Sequence, residues 1–387
     1  MNQTVGLYIH IPFCLRKCRY CDFCSGVYSA EEREAYVAAL CAEIAHAAPR
    51  AAGRVVDTVF IGGGTPTILT PAQFTAVLDT VKAHYTLTPD AEITTECNPA
   101  TNVEPLFPVL VAAGVNRLSI GLQSVHENEL EALGRLHSYN DFLTTLAAAQ
   151  KAGFSNISAD LMYAIPRQTP DTLLATLRTV CDLPLTHLSV YNLIIEDNTP
   201  FKADYDKGKL TYPDEETIAQ MDEVISTYLP TRGFARYEIS NYARNGAVSR
   251  HNLRYWQHGD YLGFGVAAHS FLGGVRSQNT DLVPAYVRDV TAGRFDEIVF
   301  EETIISPHDQ REEYVMLGMR TTFGVSLAAF ERRFGVSFEE TYPNIPPLIE
   351  HGLLKIEDGR VFFTDEGFRV SNAILGQWLE FESEEDE

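Results

Sequence analysis

Residues 6–24 read GLYIHIPFCLRKCRYCDFC, and the reading of the whole chain turns on this stretch. Its first half, Leu7-Tyr8-Ile9-His10-Ile11, is a short apolar run of strand character. Its second half carries Cys14, Cys18 and Cys21 in the spacing Cys-x3-Cys-x2-Cys. Three thiolates on one loop can bind three irons of a cubane cluster and leave the fourth iron open to an exogenous ligand. An open position is what a catalytic centre keeps and a structural one closes. The competing reading is a zinc site completed by Cys24 or His10, though no distant second cysteine pair accompanies it. The chain has 7 cysteines. An odd number with a tight N-terminal group argues against a disulfide framework. Cys41, Cys97 and Cys181 are scattered and fit small buried hydrophobes.

Working outward, short apolar runs recur at 5–11, 55–61, 91–96, 117–122, 157–162 and 188–193, with a weaker one at 235–239. Amphipathic stretches separate them. Residues 29–47 open on Ser29 with Glu32 three positions on, a capping box. Residues 71–85, 103–113, 140–152, 170–181 and 214–232 have the same helical periodicity. Strand–helix alternation of this length means parallel strands with crossover helices, and about six units suit an open or closed α/β barrel. In such a barrel the functional residues sit at strand C-termini.

The pattern changes after residue 240. Residues 241–274 are rich in Asn, Tyr, His and Gly and read as a long ordered loop region, within a connecting region over 241–306 that carries His251-Asn252-x-x-Tyr255-Trp256. From 307 to 379, helical patterns precede a short hairpin at 353–357 and 359–364 and a last helix at 366–379, a winged-helix-like α+β module. The final stretch, 380–387, is acidic and is expected to be disordered.

The chain has 387 residues and a formal net charge of -22. Such a balance argues against a nucleic-acid partner, including for the winged-helix-like module, because phosphate contacts need cations. No stretch is apolar and long enough to span a bilayer. The N-terminus lacks the basic region of a signal peptide. The expected location is the cytoplasm.

With Tyr20 as the aromatic, Cys14-x3-Cys18-x-Tyr20-Cys21 resembles the signature of the radical S-adenosylmethionine superfamily. The resemblance implies a partial (βα)6 barrel over residues 1–240, a [4Fe–4S] cluster on Cys14, Cys18 and Cys21, and S-adenosylmethionine on the open iron. Phe60-Ile61-Gly62-Gly63-Gly64-Thr65-Pro66-Thr67 resembles the glycine motif that meets the methionine amino group. Glu96, Gln123 and Asp160 each close an apolar run, and Arg135 follows in Gly134-Arg135-Leu136-His137. The resemblance assigns cofactor contacts to Tyr8, Gly63, Gly64, Thr65, Glu96, Gln123, Arg135, Asp160 and, through its backbone, Ile194. The family more often carries glycine where this chain has Ala164 and Arg167. His10 is placed near the substrate in related coproporphyrinogen oxidases, which makes it a candidate catalytic residue. Cys24 is extra and is expected not to bind the cluster.

The run His251-Asn252-x-x-Tyr255-Trp256 resembles the HemW family of heme chaperones, and the resemblance covers nearly the whole chain. It implies heme as a third bound group and apo hemoproteins of a respiratory chain as recipients. It also implies delivery at a respiratory membrane and an electron donor of unspecified identity. The cluster and cofactor would gate transfer or a homodimeric state. An imidazole can be an axial ligand of heme iron, which makes His251 the first candidate and His269 the second. Tyr255 and Trp256 offer flat faces, and Arg250 or Arg254 could pair a propionate. A structural aromatic cluster around His251 is the alternative. The rival activity is oxygen-independent oxidation of coproporphyrinogen III in porphyrin biosynthesis. Its second Cys-x-Cys cofactor site is missing here.

Overall fold

The structure is a computed structural model and describes residues 4–379. The acidic stretch 380–387 lies outside the described residues. Strands β1 (Thr4–Ile11), β2 (Val55–Gly63), β3 (Leu87–Cys97), β4 (Arg117–Gln123), β5 (Asn156–Tyr163) and β6 (His187–Asn192) pair in sequence order, all parallel. These six strands, with crossover helices between them, are the expected partial barrel. In β1, Val5, Leu7, Ile9 and Ile11 are completely buried. Helices cover one face and the barrel interior covers the other, so the strand reads as a near-continuous apolar run.

Local chemistry sets where the helices start. The first runs Ala30–His46, with Ser29 and Glu32 in a reciprocal capping box. Glu32 accepts from the Ser29 amide at 2.7 Å. Losing such a cap costs roughly 1 kcal/mol. Thr70, Ser138 and Thr169 cap later crossover helices in the same way.

Two expectations change. The weak seventh run at 235–239 is no parallel strand. Only Ala235–Arg236 (β7) is extended, and it folds back antiparallel on β8 (Asn241–Ala243), which in turn runs antiparallel to β6. Within the reversal the Glu238 carboxylate accepts the Ser240 amide at 3.1 Å. The expected loop region 241–274 contains strands and a helix, and the connecting region as a whole adds strands to the sheet. β9 (Tyr261–Phe264) pairs parallel to β1 on the side away from β2. β10 (His269–Leu272), β11 (Val275–Asn279) and β12 (Val299–Ile304) extend it antiparallel. β1 therefore lies inside a 12-stranded sheet. These strands are only four to six residues long and alternate weakly, which hides them from periodicity.

Beyond Pro307–Gly318, helices and a three-stranded antiparallel sheet (Val325–Ser326, Leu354–Glu357, Arg360–Phe363) enclose a separate core around Phe330, Val361 and Trp378. The last helical stretch divides at Val370 into Asp365–Arg369 and Ser371–Trp378.

Candidate functional site

The C-terminal ends of β2 to β6 open on a cavity of about 390 Å³. The cysteine loop folds over it. Paired backbone bonds close the loop at its base, Cys14 N to Gly26 O and Gly26 N to Pro12 O, each 2.8 Å. Further along, Arg19 N donates to Leu133 O and Phe201 N to Arg19 O, while the Tyr20 and Phe201 rings pack at 6.4 Å. Cys14, Cys18 and Cys21 all line the cavity. Among the described residues no three His, Cys, Asp or Glu side chains converge on one ion. A mononuclear zinc site needs such convergence. A cubane does not, because each thiolate binds a different iron.

The thiol surroundings suit an anionic sulfur cluster. Arg135 Nη1 lies 3.5 Å from Cys18 Sγ, and Thr65 Oγ1 lies 3.8 Å from Cys14 Sγ. A Cβ on Gly64 would meet Phe13 O at 2.7 Å and Cys14 Sγ at 3.1 Å, so only glycine lets the backbone lie against the loop. Deeper in, the chemistry suits a zwitterion with hydroxyls. Glu96 accepts the Gly63 amide at 2.9 Å. Burial, then the Asp160 charge, pushes the Glu96 carboxyl up to about 8. Burial also raises Asp160, which accepts from Ser119 Oγ at 2.9 Å. Among the described residues the buried Nε atoms of Arg117 and Arg135 have no hydrogen-bond partner, so both guanidiniums can take a further acceptor.

Of the nine sequence-assigned cofactor contacts, Gly63, Gly64, Thr65, Glu96, Gln123, Arg135, Asp160 and Ile194 line this cavity. Gln123 does so with φ at 72°, a left-handed backbone at the bulge between β4 and β5. Such strain costs about 1–2 kcal/mol and clusters at functional sites. Tyr8 does not line this cavity. Its ring lies on the wall of a second cavity of about 640 Å³, on the β9 side of β1. His10 is on that wall too, 2.9 Å from Tyr8 Oη through Nδ1 and donating from Nε2 to Cys24 O at 2.8 Å. Gly63 and Glu96 line both cavities.

His251 is the main correction. It is completely buried, on the helix Arg250–Trp256. Nδ1 lies 2.9 Å from Thr58 Oγ1 and Nε2 lies 2.8 Å from Tyr255 Oη, so both ring nitrogens are taken. Burial, then the Arg254 and Arg117 charges, pushes its pKa down to about 3. The helix is fixed by Glu92, whose carboxylate accepts the Arg250 and His251 amides, each at 3.0 Å. Arg254 is paired with Asp57, and Arg250 with Asp90. Both nitrogens of the expected axial ligand are thus engaged, and neither candidate propionate partner, Arg250 or Arg254, lines the second cavity.

Sequence reading missed Arg117, Ser119 and Ser189, all on the first cavity wall. Their signal was a polar residue inside an apolar run. Strand register explains it: Ser119 sits opposite Glu96, and Ser189 opposite Asp160.

Comparison with known proteins agrees with this geometry. The radical SAM superfamily model matches residues 8–180, and the HemN C-terminal domain model matches residues 305–370. "Heme chaperone HemW" of Bacillus subtilis is 36% identical over 96% of this chain and 98% of its own. The mitochondrial "Radical S-adenosyl methionine domain-containing protein 1" of Bos taurus is 34% identical over 97% of this chain and 87% of its own. The solved coproporphyrinogen III oxidase (HemN) of Escherichia coli superposes with a TM-score of 0.84 at 25% identity, covering 98% of this chain and 90% of that one. With similarity running the length of both chains, this chain belongs to the HemW family of the radical SAM superfamily.

Proposed function

We propose that this protein is a cytoplasmic heme chaperone that binds heme and passes it to apo hemoproteins. In this reading Cys14, Cys18 and Cys21 hold a [4Fe–4S] cluster, and Gly63, Thr65, Glu96, Gln123, Arg135 and Asp160 hold S-adenosylmethionine. Bound together, those groups supply one-electron reductive cleavage of the cofactor's sulfonium. The chain's own residues orient the cofactor. The buried guanidiniums of Arg117 and Arg135 offer donors to its carboxylate, and Glu96 and Asp160 accept from its ammonium and hydroxyls. The observation that supports the chaperone reading is the pair of adjoining cavities, one lined by the cysteine loop and the strand-end polar residues and one walled by aromatic rings, in a chain whose full-length relatives carry the name heme chaperone. No helix of the described residues is long and apolar enough to cross a membrane.

The superposition on coproporphyrinogen III oxidase favours a second reading, oxidative decarboxylation of coproporphyrinogen III. One anaerobic experiment separates the two. The cluster is reconstituted, heme binding is followed by absorbance, and coproporphyrinogen turnover by product analysis. Stoichiometric heme binding without turnover is expected. Turnover at a catalytic rate would overturn the chaperone reading.

A further inference from the structure

Four imidazoles gather at the second cavity. His10, His258 and His269 are on its wall, and His251 stands one residue behind, through Tyr255. Three of them are closed. His10 is held by Tyr8 and Cys24. His251 is held by Thr58 and Tyr255. His258 is held by Glu313 at 3.1 Å and Arg333 at 2.8 Å. His269, at the start of β10, is exposed, and among the described residues no hydrogen bond or ring contact engages its imidazole. A neutral imidazole with a free ring nitrogen is a ligand for iron.

The rest of the wall suits a flat ring system with acidic edges. Tyr255, Tyr261 and Phe271 line it with aromatic rings, and Leu317 from the helix Pro307–Gly318 adds an apolar side chain. Phe23 reaches in from the cysteine loop, 61% exposed. An aromatic this exposed, beside a largely apolar cavity, marks a binding surface rather than a core. Arg276 is the one Lys or Arg on this wall among the described residues. It sits opposite Phe271 in the β10–β11 pairing, half-exposed, with Nη2 on Glu313 at 2.7 Å. Its guanidinium has donors left for a carboxylate.

We propose that this second cavity seats the heme, with His269 as the iron ligand and Arg276 facing a propionate. His251 is then a positioning residue that holds the Tyr255 hydroxyl and so the aromatic wall. The assignment rests on the heme-chaperone reading. It also places the heme beside the cofactor cavity, across Gly63 and Glu96.

The test uses the full-length, cluster-reconstituted protein titrated with hemin, read by Soret absorbance and resonance Raman. Wild type is expected to show an iron–imidazole signature. His269→Ala is expected to lose that signature and at least tenfold in hemin affinity, with both restored by free imidazole. Its affinity for iron-free protoporphyrin, read by fluorescence, should stay within about twofold, because only the iron bond is removed. His251→Ala is expected to keep the signature while weakening both hemin and protoporphyrin. An unchanged spectrum and affinity in His269→Ala would overturn the assignment and leave the chaperone reading standing. The same holds if His251→Ala alone loses the iron–imidazole signature with its thermal midpoint unchanged. A wild-type protein that binds no hemin would overturn the chaperone reading itself.

Discussion

The Gly63 amide donates to the Glu96 carboxylate at 2.9 Å, and these two residues form the partition between the cavities. Gly63 has φ at 113°, and a Cβ there would meet the His10 ring at 2.6 Å. One backbone position thus meets a carboxylate on the cofactor side and an imidazole on the other. No side chain fits between them.

Gly63→Ala should therefore disturb both cavities at once. The left-handed backbone alone costs about 1–2 kcal/mol for a residue with a Cβ, and the His10 contact adds to it. A lower thermal midpoint and at least tenfold weaker S-adenosylmethionine binding are expected, measured by calorimetry and by anaerobic equilibrium binding. Native stability with native cofactor affinity would show that the partition is not needed.

With the Glu96 carboxyl pushed up to about 8 by burial, the proposed S-adenosylmethionine binding should depend on pH. Below that pH the free site is mostly protonated and cannot accept from an ammonium or hydroxyl through both oxygens. Binding selects the ionised form and releases a proton. Affinity should thus rise with pH, at most tenfold per unit, and level off above about 8. Glu96→Gln should flatten the dependence. Titration calorimetry in buffers of different ionisation heat counts the proton directly.

Cys24 points away from the other thiols: its Sγ lies 3.3 Å from Asp281 O, on the second cavity. Cys24→Ser should keep full iron and sulfide content after anaerobic reconstitution. Cys14→Ser, Cys18→Ser and Cys21→Ser should each lose more than half of both, along with the cluster's visible absorbance and EPR signal. Iron loss in Cys24→Ser comparable with the other three would make it a ligand.

Ala164 and Arg167 follow β5 with φ at 59° and 68°. Both therefore adopt the left-handed region that glycine favours. Ala164 is completely buried. Ala164→Gly leaves no large cavity and relieves the strain, so a gain of roughly 0.5–1 kcal/mol is expected. A denaturant midpoint shifted downward would show that the methyl packs for more than the backbone costs.

How much was legible in sequence depends on range. Capping boxes such as Ser29 with Glu32, the apolar runs of β1 to β6 and the Cys14, Cys18 and Cys21 loop are decided within about ten residues, so the one-dimensional pattern carries them. The strand-end polar residues Glu96, Gln123 and Asp160 could be placed on one rim because parallel strands point the same way. Tertiary structure alone decided the rest. The pairing of β9 with β1 joins residues more than 250 positions apart, and no local signal marks it. That pairing sets Tyr261 on β9 beside the strand that carries Tyr8, both on the second cavity wall, while the helix Arg250–Trp256 packs on β2 and buries His251 between Thr58 and Tyr255. An imidazole is a ligand or a strut according to whether its nitrogens already have partners, and partners are set by packing. The cysteine loop could be read from its spacing. The open histidine, His269, could be told from the closed one only after the chain had folded around both.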